Sequence, residues 1–248
     1  MRIARALILL LLMALPAQAE RVVAGLSQAR VSITTDFSGS EILVFGAVKR
    51  EAPAPEGADL NVVVTVAGPS EPTTVRRKDR RAGIWVNADM QDIGPAPTFY
   101  SVATSAPLSE ILSPETDRKH RISIRRAIRG VGVTDNNYID ALIRIREDEG
   151  LYQISDRAVT LQQDTLFRAG IALPANLTEG AYATRIFLLR GGDVIDRYDT
   201  VIVVRKVGLE RALYTLAYDQ PLIYGILSLA IAIIAGWAAS AVFRYFQP

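Results

Sequence analysis

Short apolar runs rich in valine, isoleucine and threonine recur along most of the chain between residues 28 and 206, and glycine or proline interrupts them at short intervals. This pattern is typical of antiparallel strands joined by tight turns. The expected fold class is therefore mainly β, with one or more immunoglobulin-like antiparallel sandwiches. The predicted strands are Arg30–Thr34, Ile42–Val48, Asn61–Ala67, Thr73–Arg77, Gly83–Asn87, Phe99–Thr104, Ala158–Gln163, Leu166–Leu173, Ala181–Arg190 and Asp193–Lys206.

A helical spacing of apolar residues replaces this pattern between residues 107 and 151. Asn136 or Asn137 can cap a helix that runs from about residue 138 to residue 149, and Gly150 ends it. The stretch is interpreted as a helical insertion or connector between two β-rich parts.

The N-terminus has the three parts of a secretory signal peptide. Arg2 and Arg5 precede an apolar run, Ala6–Leu15, and small residues follow at Ala17 and Ala19. This order predicts cleavage before Glu20. The alternative is an uncleaved anchor, but a run of that length covers only about half of a hydrocarbon core.

The C-terminus contains a second apolar segment, Leu222–Phe243, with no charged residue. As a helix it spans about 33 Å, which is enough to cross a bilayer. Together with a cleaved signal peptide and Arg244 just beyond the helix, it predicts a single-pass protein of a bacterial inner membrane. The body then lies in the periplasm and the C-terminus in the cytoplasm.

The part of the body after the helical stretch has four predicted strands, which are few for an independent sandwich. Either that second part borrows strands from the first, or the whole body is one unit. The predicted divisions are a signal peptide at 1–19, a β-rich domain at 20–106, a helical connector at 107–151, a β-sandwich-like domain at 152–207, a juxtamembrane amphipathic helix at 208–220, a transmembrane helix at 221–244 and a cytoplasmic tail at 245–248.

Composition removes several function classes. Without the first 19 residues the chain has equal numbers of acidic and basic residues, which argues against general nucleic-acid binding. Cysteine is absent and His120 is the only histidine, so thiolate and multi-histidine metal sites are excluded. No nucleophile or phosphate-loop motif occurs. We therefore predict no catalytic, cofactor or metal residue, and a protein that is not an enzyme.

The densest basic run contains Arg76, Arg77, Lys78, Arg80 and Arg81. One interpretation is a surface that contacts anionic lipid headgroups or an acidic partner. The other is a solvated cluster that protects a strand edge. The segment that follows, Gly83–Asn87, is predicted to be a core strand.

Two further sets of residues are expected to be structural. Tyr182 follows a glycine turn, as in the tyrosine corner of immunoglobulin-like sandwiches. In the membrane helix, small residues recur every fourth position and let another helix approach closely. That ridge predicts a homodimer or a lateral contact with another membrane protein, unless the spacing arises by chance; its members are Ser228, Ala232, Gly236 and Ser240.

The chain resembles a family of alphaproteobacterial single-pass transmembrane proteins. The resemblance implies a signal peptide, a β-rich periplasmic body and a tail helix, and it brings no catalytic or binding residue. It also implies an association with sulfite-exporter-like permeases. The residues that carry it are Gly83–Asn87, Phe99-Tyr100, Leu166–Ala169 with Leu173-Pro174, and the closing run from Tyr224-Gly225 through Gly236-Trp237 to Phe243-Arg244.

Three functions follow as hypotheses. The leading one is a binding or accessory module for an inner-membrane partner, such as a transporter, or for another envelope protein, with membrane lipid as a further partner. The second is an envelope hydrolase, which requires two carboxyl groups in one pocket, one of them with a raised pKa. The third is a structural envelope protein.

Overall fold

The computed structural model describes residues 20–34, 37–50, 57, 59–128, 136–208, 213 and 216–246. The predicted signal peptide at 1–19, residues 51–56 and 58, and much of the predicted juxtamembrane helix at 208–220 lie outside these residues. The chain divides into two compact units. One falls within Met1–Val31 and Ser38–Val204, and the other within Ser32–Phe37 and Arg205–Pro248.

The described residues form twelve strands, and all ten predicted strands are among them, so the mainly β prediction is confirmed. Two short strands, β1 and β8, were not predicted. The strands are β1 (Arg21–Leu26), β2 (Arg30–Ile33), β3 (Ser40–Lys49), β4 (Leu60–Ala67), β5 (Ser70–Arg81), β6 (Ile84–Pro97), β7 (Tyr100–Thr104), β8 (Tyr152–Ser155), β9 (Val159–Gln162), β10 (Leu166–Leu173), β11 (Gly180–Arg190) and β12 (Asp193–Lys206).

The strands pair into three sheets. A four-stranded sheet has the order β1-β3-β10-β9, and a six-stranded sheet has the order β2-β12-β11-β4-β7-β8. Pairing is antiparallel within the four-stranded sheet and along β12-β11-β4-β7, whereas β7 and β8 are parallel. Strands β5 and β6 form a separate two-stranded sheet. Both larger sheets therefore contain strands from before and from after the helical stretch.

The helical stretch supplies the short helices α1 (Leu108–Ile111), α2 (Pro114–His120) and α3 (Ile124–Ala127), and the longer α4 (Asn136–Asp148). Helix α2 begins where the sequence provides a cap, because the Ser113 hydroxyl accepts a hydrogen bond from the Thr116 amide at 3.2 Å.

The body has three layers. The four-stranded sheet packs on one face of the six-stranded sheet, through contacts of β1 with β11 and of β9 with β4. The helices cover the other face: the Tyr100 hydroxyl donates to the Ile122 carbonyl at 2.8 Å, and the His120 and Phe187 rings meet edge to face. Strand β4 lies between these layers, which explains why Val62, Val63 and Val64 are fully buried.

Two predictions about β6 are wrong. The segment Gly83–Asn87 is not a core strand, because Ile84 and Trp85 are 65% and 69% exposed. The Gly94–Pro97 segment, which falls between two of the predicted strands, lies within β6. The first error has a physical reason: β5 and β6 pair only with each other, so the ribbon tip has no layer to be buried against. The second arises because Gly94–Pro97 pairs with Ser70–Thr73 at the ribbon base.

The second unit contains helix α5 (Pro221–Phe246). Its stretch Pro221–Val242 has 22 residues, is apolar enough to cross a membrane, and has no part buried within the protein. A helix with apolar side chains all round its surface, and no protein around it, is suited to lipid rather than water.

Candidate functional site

The most unusual surface of the body is the exposed face of the four-stranded sheet. Successive side chains of a strand point to opposite faces, so one face of an exposed sheet is normally polar. Here that face carries large apolar side chains on three neighbouring strands. We define the outer sheet face by Val23 on β1, Leu43 and Phe45 on β3, and Leu166 and Arg168 on β10.

Strand register brings these side chains together. Phe45 is the partner of Gly25 on one side and of Arg168 on the other, while Ala47 is the partner of both Val23 and Leu166. The Phe45 ring lies over Gly25, where a Cβ atom would be 3.3 Å from it. The result is a shallow, mostly apolar groove of about 640 Å³.

The opposite face of β3 is also apolar. Ile42 and Val44 are fully buried. The ring of Phe167 on β10 packs against Gly46 so closely that a Cβ atom there would lie 2.6 Å from it. Strand β3 is therefore built like a strand buried on both faces, although only one of its faces is covered.

Arg168 is the cation that lines the groove, and no ion pair of its guanidinium is found in the described part of the chain, although Glu41 on the same face of β3 lies over Gly170. The other polar residues around the groove, Thr160 and Gln162, are neutral. A guanidinium beside an apolar surface favours a carboxylate from a second molecule, because a charge-assisted pair there is partly shielded from water.

The start of β1 is fixed by a buried ionic cluster. The Glu20 carboxylate accepts hydrogen bonds from Arg50 Nε at 2.5 Å and from Arg190 Nη2 at 2.8 and 2.9 Å. Burial raises the pKa of the Glu20 carboxyl, but the hydrogen bonds and charges of the two arginines outweigh it, so the pKa lies below its ordinary value. The cluster ties the edge strand of the outer sheet face to β3 and β11.

The basic run of the sequence lies on the two-stranded sheet of β5 and β6, which we call the ribbon. Arg77 and Arg81 approach Asp89 and Asp79 at 3.9 and 3.7 Å. The remaining cations of the run, Arg76, Lys78 and Arg80, have no acidic partner among the described residues. The run thus separates into a paired set and an unpaired set.

The other residues singled out by the sequence lie apart from both surfaces. Tyr182 is buried and its hydroxyl donates to the Thr178 carbonyl at 2.7 Å, which is the geometry of a tyrosine corner. The small-residue ridge lies along α5. Its first member, Ser228, donates to the carbonyl of Tyr224 at 2.8 Å, and the other members are Ala232, Gly236 and Ser240.

The hydrolase hypothesis receives no geometric support from the described residues. No group of three or more His, Asp or Glu side chains there could hold a metal ion. The groove on the four-stranded sheet is lined by no carboxylate. The two carboxyl groups with displaced pKa, Glu20 and Asp89, are both lowered, whereas a general acid requires a raised pKa.

Sequence reasoning missed the outer sheet face, although a signal for it exists. The run from Ile42 to Val48 has no polar residue at any alternate position. That pattern is typical of a strand buried on both faces, and β4 is close to it, with Thr65 as the one polar residue within Val62–Val66. The sequence alone does not reveal which of the two strands is left partly uncovered.

Comparisons with known proteins give a family and a weak structural likeness. The family described as "Putative transmembrane protein (Alph_Pro_TM)" matches residues 21–245. No curated protein matches. A solved structure, Spo0M, a sporulation control protein from Bacillus subtilis, is 11% identical over 75% of this chain, with a TM-score of 0.26. The match spans about half of that protein's length, at 49%.

Proposed function

The chain belongs to this family of transmembrane proteins, and from that premise we propose that it is a membrane-anchored binding module. Helix α5 holds it in the bacterial inner membrane. The body lies in the periplasm, as a cleaved signal peptide and the cation after the helix predict. The body recruits a second envelope protein through its outer sheet face.

The observation that supports this proposal is the apolar character of the outer sheet face. Val23 is 57% exposed and Phe45 is 45% exposed, and they lie on adjacent strands rather than scattered over the surface. Contiguous exposed apolar surface is costly in water and marks sites of association. A binding role accounts for that surface, whereas a purely structural role does not require it.

The chemistry of this face indicates the kind of partner. Four apolar side chains surround one unpaired cation, Arg168. The complementary surface is an apolar protein segment that presents a carboxylate to the guanidinium. We propose an envelope protein with such a segment as the occupant, a class that includes inner-membrane transporters.

Site-specific photocrosslinking of the full-length chain in its own membranes tests the proposal. A benzoylphenylalanine at position 45 is expected to yield one discrete crosslinked species. The matched control is the same group at Ile154, an exposed apolar residue of the edge strand β8, where we expect none. Mass spectrometry then identifies the partner and its contacting segment.

Charge exchange decides whether the captured protein is the proposed partner. Arg168→Glu is expected to abolish the crosslink at position 45. Replacing the contacting acid of the partner by arginine is expected to restore it. A crosslinked species with twice the mass of this chain would contradict the proposal, because the occupant would then be a second copy. Equal crosslinking from positions 45 and 154 would also contradict it.

A further inference from the structure

The ribbon presents two chemically different faces. Residues paired across antiparallel strands lie on the same face, and alternate residues of one strand share a face. Arg80 pairs with Trp85 and Arg76 pairs with Met90. Lys78 lies between Arg76 and Arg80 on the same face. We call these five residues the outer ribbon face.

The opposite face of the ribbon is attached to the body near its base, whereas towards the tip it is exposed. Val75 is buried. The hydroxyl of Tyr138 on α4 donates to Asp89 at 2.6 Å, and Arg77 lies on the same side as Asp89. This attachment directs the outer ribbon face away from α4. The acids Asp79 and Asp89 thus lie on the attached side, near Arg81 and Arg77.

The outer ribbon face combines unpaired cations with exposed apolar groups. Trp85 and Met90 are 69% and 67% exposed and lie next to arginine side chains. Tryptophan prefers the boundary between headgroups and acyl chains, and cations are attracted to anionic headgroups. Neither preference alone defines a site, but their combination on one face of a strand pair matches the layered chemistry of a lipid surface.

We infer that the outer ribbon face rests on an anionic phospholipid surface, with Trp85 inserted at the headgroup boundary and Arg76, Lys78 and Arg80 on the phosphates. A nucleic acid is a poorer fit, since the chain without its first 19 residues has no net excess of basic charge. The membrane helix in the same chain also supplies the lipid surface at high effective concentration. A few cations are then sufficient for contact.

The test uses the full-length protein in nanodiscs. Trp237→Phe leaves Trp85 as the only tryptophan, because the chain contains two. Trp85 fluorescence is measured with lipids brominated near the carbonyl end of the acyl chains. One set of discs contains phosphatidylcholine alone, and the other contains phosphatidylglycerol at three parts in ten. We expect strong quenching only in the anionic discs, and loss of that quenching in high salt.

Charge variants provide the matched control. Arg76→Gln with Arg80→Gln removes two cations from the outer ribbon face. Since one cation near an anionic surface changes binding about five-fold, the contact equilibrium should fall about 25-fold. Arg77→Gln with Arg81→Gln removes two cations from the attached face of the same strand and should change it less than about three-fold. Circular dichroism confirms that both double variants remain folded.

Three results would overturn the inference. They are absence of quenching in anionic discs, equal quenching in discs without phosphatidylglycerol, and equal loss of quenching in the two double variants. None of them affects the outer sheet face, because the nanodisc contains no other protein. Failure here is therefore distinguishable from failure of the proposed binding function.

Discussion

Strands β3 and β4 have similar sequences but different surroundings. Each contains an apolar run with few or no polar interruptions, Ile42–Val48 in one and Val62–Val66 in the other. Strand β4 lies between the four-stranded sheet and the helices, and both of its faces are buried. Strand β3 buries Ile42 and Val44 but leaves Leu43 and Phe45 exposed.

This difference shows that an apolar strand sequence can indicate burial against another molecule, and not only burial within its own chain. In β4 the alternate residues are covered by helices that the same sequence provides. In β3 the corresponding cover is missing from the described residues. The outer sheet face therefore has the composition of a buried sheet face, although it is exposed to solvent.

The largest effect should come from adding a carboxylate to each strand in turn. Val64→Asp buries an unpaired charge between two layers and is expected to unfold the body, at a cost of about 5 kcal/mol or more. Leu43→Asp places the same group on the outer sheet face, where water can reach it, and should cost about 1 kcal/mol or less. Thermal unfolding in detergent, followed by circular dichroism, measures both.

The two variants should also differ in binding. Leu43→Asp is expected to remain folded and to lose the crosslink at position 45. If Leu43→Asp unfolded the body as completely as Val64→Asp, the outer face of β3 would be covered within the chain, and the contrast between the strands would be wrong.

The next effect concerns the ionic cluster that holds β1 beside β3. Glu20→Gln leaves Arg50 and Arg190 without their carboxylate, at an expected cost of about 3 kcal/mol. That corresponds to a fall of about 6–12 °C in Tm at neutral pH. The control is Glu110→Gln, an exposed acid, with an expected change near zero.

The stabilisation that the Glu20 carboxylate provides should decrease as the pH is lowered. The folded-state pKa of Glu20 lies below its ordinary value of 4.5, so its contribution is fully present above pH 4.5. The contribution is lost as pH falls through the folded value, when the carboxyl is protonated. The Tm difference between Glu20→Gln and the unmodified protein should therefore shrink in acid. A difference that stays constant below pH 4.5 would contradict the ionic origin.

A smaller effect on stability should come from replacing two glycines by alanine, Gly46 in β3 and Gly25 in the neighbouring strand β1. A Cβ at Gly46 would lie 2.4 Å from the Val23 carbonyl oxygen and 2.6 Å from the Phe167 ring, so Gly46→Ala forces backbone or core to move. We expect a loss of about 2 kcal/mol. A Cβ at Gly25 meets only the Phe45 ring, at 3.3 Å, and that ring can shift outward.

Gly25→Ala should therefore change stability by less than about 0.5 kcal/mol. Thermal unfolding of the two variants side by side is the measurement. If Gly25→Ala were the more damaging, the Phe45 ring would be held in place, which would mean that the outer sheet face is covered and rigid.

Much of the fold could be predicted from the sequence because local signals and tertiary contacts agree. Strands β10 and β12 begin and end at the predicted residues, where turns such as Gly191-Gly192 interrupt the apolar pattern. Strand β8 was missed because four residues after a helix carry too little alternation. The pairing order of the sheets is set by contacts distant in sequence, so it could not be predicted.

The candidate surfaces were harder to predict for a physical reason. Exposure depends on which layer covers a strand, and periodicity does not contain that information. The same limitation made Trp85 look like a core residue, whereas it lies on a ribbon with no covering layer. The basic run was identified, but its separation into paired and unpaired faces follows only from the register of β5 with β6.

An effect smaller than that of Gly46→Ala concerns the corner that brings β11 alongside β4. Tyr182→Phe removes the hydrogen bond from the hydroxyl to the Thr178 carbonyl while keeping the ring that packs on Phe99. We expect a loss of about 1 kcal/mol, the usual value of one such bond. Burial raises the pKa of Tyr182 to about 12. The hydroxyl therefore stays protonated at neutral pH, and the loss should not vary between pH 6 and 9. Tyr198→Phe on β12 is the matched control, with an expected change near zero. An equal effect of the two substitutions would show that the hydrogen bond from Tyr182 to Thr178 does not stabilise the fold.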